Sequence, residues 1–167
     1  MKIVFVNRFF HPDLAPTARY AADVAFDLAA AGYEVHAVTS RLAYDGTGPG
    51  FAAEETVRGV RVHRVWTTRF GRSSLFGRVC DYVTFYKAAG WRLLWLLRAG
   101  DIVVAKTDPP LISVTAAFVA LVRGARLANW LHDVFPEAAA RSGMRLLEGP
   151  VGWIAKALRD WSVRRAV

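Results

Sequence analysis

Short apolar runs alternate along this chain with longer segments in which apolar residues recur every three or four positions. The short runs are rich in β-branched residues, which is typical of strands buried on both faces of a parallel sheet. The longer segments have the period of helices that pack one face on such a sheet. The pattern predicts strands at 2–7, 34–39, 101–106 and 126–131 and helices at 17–31, 75–97, 111–122 and 150–164. This order predicts an α/β fold, a Rossmann-like doubly wound and mainly parallel sheet with helices on both faces.

Apolar residues form one stripe along each of two predicted helices. In the first helix, Tyr20 and Val24 lie on such a stripe, and in the last helix Trp153 and Ile154 do. Residues 54–66 instead alternate between apolar and polar side chains. This alternation favours a strand pair, or a hairpin-like edge of the sheet.

Composition limits the class of protein. The 167 residues suffice for one domain with a sizeable core, and 54% hydrophobic against 22% charged residues excludes a disordered chain. A single cysteine, Cys80, excludes an internal disulfide framework and is interpreted as core filling. Met1 leads almost directly into a strand and the longest uncharged stretch, 109–122, is too short to span a bilayer. We expect a protein that is soluble or peripheral to a membrane.

The formal net charge is +8, and much of it lies in one arginine-rich stretch from Arg58 to Arg78. A positive field of this kind attracts phosphates of nucleotides, nucleic acid or anionic lipid. A solvated surface that is merely rich in arginine explains it equally well. The predicted helix at 75–97 carries aromatic residues beside arginines, so it is either a helix packed on the sheet or an interfacial helix, or both. The arginines of this stretch are Arg58, Arg61, Arg64, Arg69, Arg72 and Arg78.

Three loops leave strands at the carboxyl edge of the predicted sheet, where open parallel sheets bind ligands. They are residues 8–19, 107–110 and 132–137. Each loop leads to a helix whose first N–H groups can bind an anion. His132 is the best catalytic candidate because a histidine at a strand end can act as a hydrogen-bonding or acid–base group near neutral pH. A structural role for His132 fits its position equally well.

Several familiar signatures are missing from the sequence. Gly-x-Gly-x-x-Gly does not follow the first strand, and there is no phosphate-loop, Cys-x-x-Cys, Gly-x-Ser-x-Gly or Asp-x-Asp motif. The four histidines are too scattered along the sequence to suggest a zinc site. Dinucleotide binding through the usual fingerprint is therefore excluded, and no metal site is expected.

The order of several short motifs resembles a known family. Phe10-His11-Pro12 follows the first strand, Ala31-Gly32-Tyr33 ends the first helix, and Asp108-Pro109-Pro110 and His132–Glu137 follow later strands. Together they resemble the N-terminal domain of family 4 retaining glycosyltransferases of the GT-B fold. The similarity covers essentially the whole chain and is closest to the groups that build polysaccharides on lipid carriers.

The resemblance implies a function and a set of site residues. GT-B enzymes have two Rossmann-like domains; the first binds the acceptor and the second the nucleotide sugar, and no metal is required. By this resemblance Pro16, Thr17 and Arg19 lie near the substrates, and His132 contacts the transferred sugar. Asp108 and Asp133 are the remaining substrate-binding candidates. The enzyme would transfer a sugar from a nucleotide sugar to a glycan or lipid-linked acceptor with retention.

Two departures from the family pattern matter. The paired glycines of many members are replaced by Ala15-Pro16-Thr17, so Arg19 is the alternative source of positive charge for phosphates. The pair of glutamates eight positions apart that marks the donor-binding domain is absent from this sequence. We therefore expect residues 1–167 to be a single acceptor-binding domain, truncated and inactive without its C-terminal partner domain.

The expected location is cytoplasmic, at the inner face of the membrane. The arginines from Arg58 to Arg78 and the aromatic helix would contact anionic lipid, and no nucleic-acid partner is expected. The alternative is a non-catalytic basic Rossmann-like module that binds nucleotide, nucleic acid or a partner subunit.

Overall fold

The computed structural model describes residues 1–45, 50–71, 74–132, 134–141 and 143–167 of the chain. The strands are β1 (Lys2–Val6), β2 (Glu34–Ser40), β3 (Glu54–Val57), β4 (Val60–Val65), β5 (Ile102–Ala105) and β6 (Arg126–Asn129). The helices are α1 (Pro16–Ala30), α2 (Leu75–Leu96), α3 (Ile112–Arg123), α4 (Glu137–Arg141) and α5 (Pro150–Val163), with a 3₁₀ turn at Arg145–Glu148. The strands and long helices predicted from the sequence are confirmed.

The described strands form one six-stranded sheet in the order β3-β4-β2-β1-β5-β6. All neighbouring pairs are parallel except β3 and β4, which form an antiparallel hairpin at the edge. Arg58 and Gly59 form its two-residue turn with φ of 48° and 83°, as a type I′ turn requires. The predicted strand pair at 54–66 is this hairpin. The chain reverses its direction of winding between β1 and β5, so ligands are expected beyond the carboxyl ends of these two strands.

Helices cover both faces of the sheet, as predicted. On one face, Phe5 of β1 packs in a core with Phe26 of α1. On the other, Val4 packs with Phe85 and Leu93 of α2, and this core continues to α3 and α5. The alternation of side chains along β1 thus separates a single-helix layer from a three-helix layer.

The buried face of α1 is not the one that carries its apolar stripe. Ala18, Ala21 and Ala25 are buried, the last two in a core with the strands, whereas Tyr20 is 57% exposed and Val24 is also exposed. Alanines allow the helix axis to lie close to the strands, and a tyrosine at these positions would hold it away. The apolar stripe through Tyr20 and Val24 therefore lies away from the sheet.

The large apolar residues of α5 are also mostly exposed. Gly152 and Ala155 are buried, while Trp153 and Ile154 are 81% and 62% exposed. The helix approaches the preceding 3₁₀ turn so closely that a Cβ on Gly152 would lie 1.9 Å from the carbonyl oxygen of Leu147. Small residues therefore set the orientation of α5, and its aromatic residues face outward.

The three-helix layer has an apolar outer surface. Side chains of α2 spaced by four residues are exposed along the whole helix, and only Lys87 interrupts the row. Among the described residues, no helix combines the length and the apolar character needed to cross a membrane. The large apolar residues exposed on α2, α3 and α5 are Leu75, Phe76, Val79, Val83, Trp91, Trp95, Phe118, Leu121, Val122, Val151, Trp153, Ile154, Leu158 and Val163.

A buried carboxylate on α2 fixes the segment that precedes the helix. Asp81, only 2% exposed, accepts hydrogen bonds from Thr68 Oγ1 (2.8 Å) and from the backbone N–H groups of Phe70 (3.0 Å) and Gly71 (3.1 Å). Asp81 also forms an ion pair with Arg8, in which Oδ2 lies 3.6 Å from Nη2. Asp81 thereby joins α2 to the loop after β1 and to the segment after β4.

Two histidines that lie far apart in the sequence meet on neighbouring strands. His36 Nδ1 and His63 Nε2 are 2.9 Å apart, and the rings stack with an interplanar angle of 15°. Arg92 of α2 lies 2.6 Å from His63 Nδ1, Glu54 lies 3.4 Å from the same nitrogen, and His36 Nε2 lies 3.1 Å from Glu34. Because a guanidinium can only donate, the shorter Arg92 contact assigns one directed chain in which Arg92 donates to His63, His63 to His36, and His36 to Glu34. Both imidazoles are then neutral.

Acid should destabilise the domain through this pair. Burial is the main cause that lowers the pKa of His36 and of His63 below the ordinary value. The unfolded chain therefore binds more protons than the folded one below about pH 6.5, and stability falls as the pH drops through that region. We expect the thermal midpoint to decrease between pH 7.5 and 5.5 and a His36→Gln/His63→Gln variant to show a flatter dependence. The exposed His11, changed to Gln, is the control; an equal slope in the double variant would contradict the assignment.

Candidate functional site

The backbone of Arg8 ties together three strand ends at the carboxyl edge of the sheet. Its N–H donates to the carbonyl oxygen of Asp108 at 2.7 Å. Its own carbonyl accepts from Ser40 N–H at 2.9 Å and from Thr39 Oγ1 at 2.8 Å. The backbone at the carboxyl ends of β1, β2 and β5 is therefore held in one arrangement.

Asp13 shapes the approach to α1. This buried carboxylate accepts from Ala15 N–H at 3.1 Å and from Tyr44 N–H at 2.7 Å. Pro16 then occupies the first helical position, where a missing N–H leaves no hydrogen bond unmade. Ala15, the N-cap residue, contributes no side-chain cap, so the positive end of the helix dipole is available to an external anion.

The predicted first-loop residues lie around this helix start. Pro16 and Arg19 are exposed, and Thr17 is half-buried, with its Oγ1 3.4 Å from Asn7 Nδ2. Arg19 lines an open depression of about 610 Å³ together with His11 and Arg58. Arg19 is therefore exposed beside the first turns of α1.

The turn after β5 is buried against α2. Tyr86 donates its hydroxyl hydrogen to the carbonyl of Pro110, and burial raises the pKa of this tyrosine. Asp108 is half-buried, and its backbone carbonyl oxygen accepts a hydrogen bond from the backbone N–H of Arg8. Helix α3 begins at Ile112, slightly later than predicted, and its N-cap residue Leu111 has a left-handed φ of 66° and no side-chain cap.

His132 lies on the outside of an aromatic stack. Its ring is exposed and stacks on Tyr20 (centroids 5.9 Å apart, 26° between planes) and on Trp130 (5.8 Å, 20°). The backbone of Trp130 is fixed by a hydrogen bond from its amide N–H to the carbonyl oxygen of Ala105 at 2.8 Å. The structure thus brings His132 against α1 at Tyr20. Asp133, the other substrate-binding candidate of this loop, lies outside the described residues.

A buried lysine beneath this stack was not recognised as a site residue from the sequence. Lys106, 1% exposed, follows β5, and its Nζ lies 4.0 Å from the centre of the Trp130 ring and 5.7 Å from that of Tyr20. Burial lowers the pKa of Lys106 to about 8. In the sequence, Lys106 is recognisable only as a lysine at the end of an otherwise apolar strand, and many exposed strand ends have the same pattern.

An apolar cavity of about 350 Å³ lies on the other side of β5 and β6, between α3, α4 and α5. Leu111, Leu131 and Phe135 line it, and Arg159 contributes its polar part. The Arg159 guanidinium is held by Glu137 at 2.7 Å, and this hydrogen bond is the main cause that lowers the pKa of the Glu137 carboxyl. The cavity can accept an apolar group, and its lining also includes Lys106 and Thr107, whose Nζ and Oγ1 have no hydrogen-bond partner among the described residues.

The chemistry of this edge is that of an anion and hydroxyl site. An exposed imidazole can donate or accept a hydrogen bond, and α1 with Arg19 attracts negative charge. Within the described ranges, no group of three or more histidine, cysteine or carboxylate residues could hold a metal ion.

Comparison with known proteins identifies one matching family. A family model described as "Glycosyl transferase 4-like domain" matches residues 17–167, nearly the whole chain. None of the curated proteins compared with the chain matches it.

Proposed function

The chain belongs to the glycosyl transferase 4-like family, and we propose that it is the acceptor-binding half of a membrane-associated glycosyltransferase. In this proposal a second, donor-binding domain supplies the nucleotide sugar, and the sugar moves with retention to a glycan or lipid-linked acceptor. The observation that carries the proposal is the exposed His132 stacked beside the start of α1 in a chain that the family matches over residues 17–167. Alone the chain is expected to bind but not to transfer.

Each candidate residue has a proposed role at this edge. His132 contacts the sugar that is transferred, through an imidazole that stacks on Tyr20 and Trp130. Thr17 and Arg19, with the uncapped start of α1, attract the substrate phosphates. Pro16, Asp108 and Asp133 complete the substrate-binding set, and no metal is required.

We further propose that the outer surface of the three-helix layer lies on the cytoplasmic face of an anionic membrane. The exposed row on α2 includes Trp91 and Trp95, 64% and 70% exposed, and aromatic residues of this kind are favoured at the bilayer interface. Lys87 within the row and Lys156 on α5 add positive charge. Arg64 of the arginine-rich stretch does not contribute, because it is buried and paired with Glu55.

Vesicle sedimentation tests this orientation. We expect the chain to sediment with vesicles that contain phosphatidylglycerol, and a Trp91→Gln/Trp95→Gln variant to bind roughly tenfold less because two indoles no longer enter the interface. Tyr33→Gln, an exposed aromatic residue at the end of α1 on the opposite layer, is the control. Indifference to lipid charge together with tight binding of single-stranded DNA would favour the non-catalytic basic module instead.

A further inference from the structure

Two buried polar side chains leave neighbouring strands at the same level. The β1–β5 register pairs Val6 with Ala105, and the next residues along each strand are Asn7 and Lys106. They are 2% and 1% exposed. Among the described residues, neither Asn7 Oδ1 nor Lys106 Nζ has a hydrogen-bond partner. The acceptor oxygen of Asn7 and the ammonium of Lys106, both without a hydrogen-bond partner, therefore lie on neighbouring strands in one buried region at the carboxyl edge of the sheet.

Such an arrangement is costly for the fold alone. Buried polar groups are almost always hydrogen-bonded, and a buried cation without a partner is the most expensive case. The rings of Trp130 and Tyr20 compensate only in part, because a cation–π contact replaces less than the hydration that the ammonium loses. A buried charge that does not stabilise the fold indicates a binding site for a ligand of opposite charge.

Both side chains reach the start of α1. Asn7 Nδ2 lies 3.4 Å from Thr17 Oγ1, and Lys106 Nζ faces the ring of Tyr20 one turn further along the helix. The N-cap residue Ala15 provides no side-chain cap, so the partial positive charge of the helix end adds to that of the ammonium. A phosphate group matches this set: its oxygens accept from Lys106 and from the helix end.

We propose that Lys106 is a phosphate-binding residue of the substrate cleft, whose ammonium takes a phosphate oxygen of a substrate that enters between Tyr20 and Trp130. Tyr20 is 57% exposed, so rotation of its side chain uncovers the ammonium. Asn7 Oδ1 accepts from a hydroxyl group next to that phosphate. The inference rests on the proposed function, since it adds a ligand to the same cleft. Two sources share this chemistry, the diphosphate of a nucleotide sugar and that of a lipid-linked acceptor.

A ligand role and a structural role predict opposite effects of Lys106→Met. Methionine keeps the length of the side chain and its contact with Trp130 but removes the unpaired charge. If the charge serves binding, the ligand-free variant has a higher thermal midpoint than the wild type, because replacing an uncompensated buried charge by an apolar group stabilises the fold. If the charge serves the fold, the midpoint falls.

The experiment compares the wild-type chain, Lys106→Met and Arg126→Met by calorimetric titration with inorganic pyrophosphate, UDP and geranyl pyrophosphate; Arg126 is an exposed cation at the start of β6. We expect Lys106→Met to bind at least about tenfold more weakly, as expected for loss of a charge-assisted hydrogen bond, and Arg126→Met to bind like the wild type. Tighter binding of UDP assigns the site to the donor, tighter binding of geranyl pyrophosphate to the acceptor, and equal binding of all three to the diphosphate alone.

Three results would overturn the inference: equal affinities of wild type and Lys106→Met, a wild type that binds none of the probes, or weaker binding together with a lowered thermal midpoint. Equal affinities, or weaker binding with a lowered thermal midpoint, would leave the transferase proposal intact, because vesicle binding and His132 substitution test that proposal independently.

Discussion

Replacing Asp81 by alanine is expected to destabilise the domain by about 3–5 kcal/mol, the cost of breaking a buried ion pair from one side. The substitution leaves the guanidinium of Arg8 without its carboxylate. It also leaves the backbone N–H groups of Phe70 and Gly71 and the hydroxyl of Thr68 without their acceptor. For a chain of this length the thermal midpoint should fall by roughly 10 °C, measured by circular dichroism.

The controls distinguish the loss of the hydrogen bonds and ion pair of Asp81 from the mere loss of a carboxylate charge. Asp23→Ala and Asp27→Ala remove carboxylates from the exposed side of α1 and should change stability by no more than about 0.5 kcal/mol. Asp81→Asn retains one acceptor oxygen, so its effect should lie between those of alanine and wild type. A midpoint for Asp81→Ala within one degree or so of the controls would show that the described hydrogen bonds are not needed.

Replacing His132 by alanine in a form that carries a donor-binding domain is expected to lower kcat by about 10²–10⁴, the usual contribution of a positioned imidazole. Because His132 is exposed, the thermal midpoint should change little. A fall in kcat at nearly constant KM for the acceptor would show that the imidazole acts in the transition state. Initial rates of sugar transfer from the nucleotide sugar measure both constants.

The matched comparison is Tyr33→Ala, far from the carboxyl edge of the sheet, which should retain full activity. Tyr20→Leu removes one of the rings that stack on His132 while leaving the imidazole in place. It should reduce kcat less than His132→Ala does, since Trp130 still supports the ring. Full transfer activity of His132→Ala would refute the catalytic role.

The sequence predicted the order of strands and helices because hydrophobic periodicity is a local property. It could not predict which face of α1 and α5 is buried, because small residues such as Ala21 and Gly152 decide how closely a helix approaches its neighbour. Large side chains such as Tyr20 and Trp153 then point outward, against the usual expectation.

The candidate site was predicted in part for a similar reason. His132 was found because it ends a strand, and strand ends converge at one edge of a parallel sheet. Lys106, Asp81 and the pair of His36 and His63 were missed because their environments depend on contacts between residues distant in sequence. Burial without a partner, the property that singles out Lys106, has no signature in the sequence.

The hydrogen bonds around the Arg8 backbone have a consequence for how the cleft would close on its substrates. Because one residue joins the ends of β1, β2 and β5, the backbone at these strand ends has little conformational freedom to lose when a substrate binds. Closure against a second domain would then be a rigid-body hinge motion rather than a rearrangement of loops. On this side of the cleft, the entropy of ordering the substrate-binding groups is already lost when the chain folds.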